Sequence, residues 1–175
     1  MARAIDGLGD VLLEPAAIEQ EVARLGAQIS GDYADKHLHL VGVLKGSALF
    51  VADLVRELTI PATLDFISTV PYAEASASGV VRIRKDLDDP IEGKDVVVVE
   101  GICASGLTLS YLLRNFETRN PASLRVCALL AKARQRAPDL TLDYVGHAIP
   151  DVFVVGYGLD WDERYRHLPY IATLA

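Results

Sequence analysis

The sequence predicts an α/β fold with a mostly parallel twisted sheet flanked by helices. Three observations carry that prediction. Short apolar runs alternate with amphipathic stretches along the chain, the pattern of a sheet built from strand–helix units. Residues 96–99 are four consecutive valines, apolar on both faces as a central parallel strand requires. That run leads through small residues into a second amphipathic stretch, so strand, loop and helix follow one another directly.

The elements follow in order. Residues 15–30 read as a helix, because Ile18, Val22, Leu25 and Ile29 recur at helical spacing and Pro15 suits a first turn. Residues 38–44 form a short, strongly apolar strand, and residues 48–58 a helix. Residues 62–70 give a second strand. Residues 71–79 are small and polar, a candidate mobile loop. Residues 80–85 alternate as a half-exposed strand, and residues 88–94 make a turn. The valine strand covers 95–100, residues 101–106 break it, and residues 107–119 form a helix. Residues 123–132 and 151–160 are two further strands. In such folds ligands sit beyond the carboxyl ends of the strands, which selects the loops near Lys45, Glu100, Lys132 and Asp160.

The chain has 175 residues, enough for one domain with its own core and too few for two ordinary ones, so residues 1–175 are expected to form a single domain. Hydrophobic residues are 51% and charged residues 23%, which argues against disorder. The net charge of −7 opposes general binding to nucleic acid or an anionic membrane, while leaving room for a local anion pocket. Cys103 and Cys127 offer neither a disulfide framework nor metal spacing, so a reducing cytoplasm is the expected setting. No apolar run is long enough to suggest a membrane span. The four histidines form no cluster.

Residues 96–113 carry the chemistry. Small residues let a backbone approach an anion closely, and free amides at a helix start favour phosphate. Ser105 and Thr108 add hydroxyl donors. Neither the Walker pattern nor the dinucleotide glycine pattern is present. On spacing alone an ordinary strand-to-helix turn remains an equal reading.

The same segment resembles the phosphoribosyl diphosphate motif of type I phosphoribosyltransferases: four apolar residues, two acids, two apolar residues, Asp-Thr-Gly, then an apolar residue and Thr. The resemblance runs over residues 12–173. VGVLKGSALFVADLVREL resembles the pyrophosphate loop and helix of the hypoxanthine-guanine branch. SGVVRIRKDLDDPIEGKDV resembles the hairpin around its flexible loop. LLAK with DYVGHAIPDVFVVGYGLDWDERYRHLPYI resembles its purine-binding segment. The resemblance implies a type I fold with a small hood region.

It also implies a function: transfer of phosphoribosyl from 5-phosphoribosyl 1-diphosphate to hypoxanthine or guanine, a purine-salvage glycosyltransferase using Mg2+. Ser105, Gly106, Leu107 and Thr108 would hold the 5′-phosphate. Glu100 matches the acid near the ribose hydroxyls. Lys45 and Gly46 match the pyrophosphate loop, Arg166 an arginine that meets the pyrophosphate, and Tyr72 the flexible-loop tyrosine. Lys132 would donate to the purine's exocyclic oxygen, Phe153 would stack on the base, and the backbone of Val154 would read its edge. Asp160 would reach the magnesium. Small-molecule partners and a homo-oligomer are expected, since the family is often dimeric or tetrameric.

The sequence departs from the motif. Gly101 stands at the second acid, Ala104 at the general-base Asp, Ser105 at the Thr, and Pro71 at the serine before Tyr72. The Ser105 change keeps a hydroxyl. Ala104 leaves the general-base position without a base. Restoring both carboxylates is expected to raise turnover more than either alone. An alternative follows from the same residues: a catalytically weak relative that binds purine nucleotide or phosphoribosyl diphosphate in a regulatory role, or one with altered base specificity.

Overall fold

The computed structural model describes residues 7–70, 81–133, 137 and 139–174. Its larger sheet has six strands in the order β4-β3-β2-β5-β6-β7. These are β2 (Leu38–Leu44), β3 (Ala62–Val70), β4 (Arg82–Lys85), β5 (Asp95–Cys103), β6 (Ser123–Lys132) and β7 (Tyr144–Ile149). Pairing is parallel except at β4, which runs antiparallel to β3. Helices α1 (Pro15–Asp32) and α2 (Ala48–Glu57) share one core with Leu40, Val97 and Val99. Helix α3 (Leu107–Glu117) packs with Val41, Val96 and Val98 in another. The valine run is thus explained by strand alternation, since successive side chains serve opposite faces.

A second sheet has three antiparallel strands, β1 (Leu8–Leu13), β9 (Ile171–Leu174) and β8 (Val154–Val155), in the order β1-β9-β8. It corresponds to the expected hood. No described helix is long and apolar enough to cross a membrane.

Several expectations change. β5 does not end at Glu100. It continues to Cys103, because Ile102 and Cys103 still pair with Leu130 and Ala131 of β6. The loop before α3 shrinks accordingly to residues 104–106. The strand expected over 151–160 reduces to two residues in the hood, where Gly156 and Gly158 take positive φ and turn the chain. Asp160 therefore lies on a hood loop, not beyond a strand of the large sheet. β1, β7 and β9 were not anticipated. β1 and β9 are stabilised by pairing with each other across the length of the chain, which no local pattern reveals. The expected mobile loop at 71–79 lies outside the described residues.

Parallel register aligns the strand ends that matter. Leu44 pairs with Ser68, Cys103 with Ala131, and Lys132 with Ile149. The loops after β2, β5 and β6 consequently open on one edge of the sheet.

The turn that follows β4 is organised by Asp65 of β3, which is 5% exposed. Its carboxylate accepts from the amides of Phe66 (2.6 Å), Asp88 (2.8 Å) and Asp89 (3.3 Å), with Lys85 Nζ 3.5 Å away. Burial alone would raise its pKa, but those amides and Lys85 together hold it below the ordinary value. A depressed carboxyl contributes stability above its unfolded pKa and loses it as pH falls through the folded one. Asp65→Ala should cost about 1–3 kcal/mol at neutral pH, the range for orphaning partly buried donors. The penalty should shrink in acid below the unfolded carboxyl pKa. Urea denaturation across pH checks both.

Candidate active site

The site grows from three loops of the large sheet and one of the hood. After β2, Lys45 and Gly46 lead into α2. Ser47 fixes that corner: it is fully buried, and its hydroxyl donates to the Val43 carbonyl at 2.7 Å. After β5, residues 104–106 lead into α3. Gly106 holds φ +71°, and a Cβ there would stand 2.5 Å from Leu140 Cδ2. Only glycine meets both conditions cheaply. Ser105 Oγ accepts from the Leu107 amide at 3.4 Å. The amides at the α3 start and the helix dipole together make an anion-favouring corner.

A cavity of about 330 Å³ opens at this corner. It is lined by Lys45 and Gly46 from the loop after β2, by Ala104, Ser105, Gly106 and Thr108 from the loop and helix start after β5, by Glu100 of β5, and by Asp160 and Arg166 from the hood. Nine of the expected site residues thus converge. Leu107 starts α3 without lining the cavity. Lys132 ends β6, the neighbour of β5. Val154 is buried in β8. Phe153 is 48% exposed, with its ring centroid 5.1 Å from that of Trp161, nearly perpendicular. Tyr72 lies outside the described residues.

The cations of the site are already paired. Lys132 Nζ meets Asp151 at 3.0 Å. Arg166 Nη1 meets Asp160 Oδ1 at 2.9 Å and donates to the Gly158 carbonyl at 2.7 Å. Lys45 Nζ meets Glu163 Oε1 at 2.9 Å, and Arg166 reaches the other Glu163 oxygen at 3.2 Å. Glu163, Trp161 and Asp151 were not singled out from sequence. The run of alternating charge and aromatics after Asp160 was the signal that could have found the first two.

Glu100 accepts from the Gly101 amide at 3.0 Å. Burial nevertheless pushes its carboxyl up to about 8, against the pull of the Gly101 and Ile102 amides. Burial and Glu100 together push the Cys103 thiol to about 11, so it is no nucleophile at neutral pH.

Gly101 is packed rather than merely empty. A Cβ there would stand 2.8 Å from the Gly46 carbonyl oxygen and 3.3 Å from Leu159 Cδ2. Ala104, by contrast, is exposed on the cavity wall.

Residues 10–162 match the phosphoribosyl transferase domain family. The chain is 50% identical to the hypoxanthine-guanine phosphoribosyltransferase of Mycobacterium avium over 94% of this chain and 84% of that one. It belongs to the hypoxanthine-guanine phosphoribosyltransferases. It superimposes on a crystal structure of a hypoxanthine-guanine phosphoribosyltransferase from Bacillus anthracis with a TM-score of 0.90 at 42% identity, covering 97% of this chain and 98% of the other. A Trypanosoma cruzi hypoxanthine phosphoribosyl transferase matches with a TM-score of 0.91 at 37% identity, covering 99% and 95%.

The raised Glu100 carboxyl gives a sign that can be checked. Folded chain keeps this proton between the ordinary carboxyl value of 4.5 and about 8, whereas unfolded chain loses it. Its stabilising protonation is fully present below that window and lost as pH rises through the folded value. Glu100→Gln should therefore gain stability relative to the parent as pH rises from about 5.5 to about 8.5. Urea midpoints at both ends of the range measure it.

Proposed function

We propose that the chain is a single-domain purine-salvage transferase, which joins hypoxanthine or guanine to the phosphoribosyl group of 5-phosphoribosyl 1-diphosphate. The observation that carries this reading is the convergence of Lys45, Ser105, Thr108 and Arg166 on one cavity at the start of a helix. Two anion-favouring corners in one cavity suit a substrate with phosphate at one end and diphosphate at the other. The relatives of 50% identity named for this activity support it.

In this reading the 5′-phosphate binds the amides and hydroxyls of residues 104–108, and the diphosphate faces Lys45, the Gly46 amide and Arg166. Glu100 holds the ribose hydroxyls. Phe153 stacks on the base, Lys132 donates to the 6-oxo group once freed from Asp151, and Val154 contributes backbone at the purine edge. Purine N9 bonds to C1 of the ribose as the bond from C1 to the diphosphate oxygen breaks, and the base gives up one proton. Catalysis rests on positioning and on stabilising the departing diphosphate.

Magnesium fits this donor set only as a shared ion. Among the described residues no group of three or more ligating side chains gathers. Asp160 offers a carboxylate, though Arg166 and the Glu163 amide already engage its two oxygens. A hard cation that takes most ligands from substrate phosphates and water suits such a site. When bound, it would neutralise charge on the diphosphate. The buried free thiols of Cys103 and Cys127 agree with a cytoplasmic setting, and self-association of copies belongs to the same reading.

Ala104 favours a second reading, in which nucleotide binds and turnover is slow. No carboxylate stands at the position that would assist the purine N7 proton. The structure also alters the expectation for the paired carboxylates. Restoring one at 101 drives its Cβ against the Gly46 carbonyl and displaces the diphosphate loop, whereas Ala104 is exposed on the cavity wall.

GMP and IMP should bind saturably in calorimetry, and AMP at least about 10²-fold more weakly, because Lys132 can donate to a 6-oxo but not a 6-amino group. Equal AMP binding, or no GMP binding at millimolar concentration, overturns the assignment. Turnover with hypoxanthine should fall below a typical rate of about 10 s⁻¹. Ala104→Asp should raise it by about 10²-fold or more, the lower end of general-base catalysis. Gly101→Asp should raise KM for phosphoribosyl diphosphate without raising kcat. Steady-state assays separate the two variants.

A further inference from the structure

Glu163 occupies an unfavourable backbone position. Trp161 and Arg164 exchange both backbone hydrogen bonds, at 3.2 and 3.0 Å. The two residues between them, Asp162 and Glu163, hold φ +53° and +59°. Such a tight turn, left-handed at both central residues, strongly prefers glycine at the second. A glutamate there is a local conflict, and conflicts of this kind mark functional positions more often than accidents.

The side chain indicates what the conflict serves. One Glu163 oxygen takes Lys45 Nζ at 2.9 Å, and the other takes Arg166 Nε at 3.3 Å and Nη2 at 3.2 Å. The two cations come from different sheets, one from the loop after β2 and one from the hood. Both also line the cavity. The Glu163 amide donates to Asp160 Oδ2 at 2.9 Å, which fixes the turn to the same cluster. Among the described side chains, only Glu163 joins Lys45 to Arg166.

We propose that Glu163 is a resident counter-anion of the diphosphate subsite. Its carboxylate bridges Lys45 and Arg166 in the free protein and yields them when diphosphate arrives. This rests on the reading above that these two cations face the diphosphate. The carboxylate preorganises the pair across the hood boundary, and it competes with the ligand for the same donors. It thereby sets affinity for phosphoribosyl diphosphate and hastens loss of the diphosphate product. Lys45 and Glu163 are both more than half exposed, whereas Arg166 is 26% exposed, so the Lys45 arm is the weaker one and the first to be displaced.

The test is calorimetric titration of the full chain with inorganic diphosphate, beside steady-state kinetics. Glu163→Gln should bind diphosphate about three- to tenfold tighter, since one exposed ion pair is worth up to about fivefold and Glu163 pairs with two cations. KM for phosphoribosyl diphosphate should fall by a similar factor and product inhibition by diphosphate should strengthen. GMP affinity should stay unchanged, its phosphate lying at residues 104–108. Asp162→Asn removes the same net charge from the neighbouring position, touches neither cation and should have no effect. An equal gain in Asp162→Asn overturns the proposal. So does unchanged or weaker diphosphate binding in Glu163→Gln while Lys45→Ala still weakens it, an outcome that leaves the diphosphate subsite standing. If Lys45→Ala has no effect on diphosphate binding, the subsite reading fails and the counter-anion falls with it.

Discussion

The carbonyl of Gly46 lies wedged between two other glycines, and the geometry of the site depends on that contact. A Cβ on Gly101 would come within 2.8 Å of it, and one on Gly158 within 2.5 Å. Real Cβ atoms essentially never sit so close to a backbone oxygen, so three chain segments meet here only because none carries a side chain. One segment follows β2, one is inside β5 and one belongs to the hood. The contact ties the large sheet to the small one at the point where Lys45 and Arg166 reach the same cavity. Leu159 closes the gap with its methyl, 3.5 Å from the Cβ that Gly46 would carry.

On that frame, the electrostatics run against the charge of the molecule as a whole. The chain is strongly acidic, yet the cavity gathers Lys45, Arg166 and the start of α3. Each cation is answered locally: Lys132 by Asp151, Arg166 by Asp160, and Lys45 with Arg166 by Glu163. A cluster of like charges would otherwise repel itself in the free protein. Carboxylates on the hood loop and beside β8 neutralise it without filling the cavity. An anionic ligand then exchanges one set of ion pairs for another, and affinity reflects the difference between the sets. Glu100 behaves differently. Among the described residues it has no cationic partner, so burial raises its pKa to about 8, and a charge forms there readily only when a ligand supplies the compensation.

Much of this was legible in the sequence, and the exceptions share a cause. Helical spacing at Ile18, Val22, Leu25 and Ile29 identified the buried face of α1, and all four are in the core. The four valines identified the central strand, because burial on both faces leaves no polar positions. Lys45, Ser105, Thr108 and Arg166 converge as the resemblance implied. The misreadings lie where stability comes from distant pairing. β1 and β9 stabilise one another over more than a hundred and fifty residues of sequence, and neither is apolar enough to be read alone. β5 was cut short at Gly101 because glycine is a turn signal in isolation, whereas here it admits the Gly46 carbonyl. The expected strand over 151–160 read Gly156 and Gly158 as passengers, when their positive φ turns the chain toward the cavity.

That last distinction separates the two motif departures, which look alike on paper. Gly101 exchanges a side chain for a close backbone contact, so its loss of charge is tied to the position of the loop at Lys45 and Gly46. Ala104 makes no such exchange. It stands exposed on the cavity wall, next to Ser105 and beyond the end of β5. The proposed phosphate corner is unaffected, since it depends on amides, on Ser105 and Thr108, and on the αL turn at Gly106. In the proposed reading, phosphate binding and the missing proton acceptor belong to different atoms of the same short loop, so a change at 104 is expected to alter the second while leaving the first intact. Positioning and electrostatic stabilisation supply most of the barrier lowering in phosphoryl-bearing substrates of this kind, and a base adds to them by a separable factor. In the proposed reaction the carboxylate of Glu100 stays within β5, and the position that would take the purine proton lies one residue past the end of that strand.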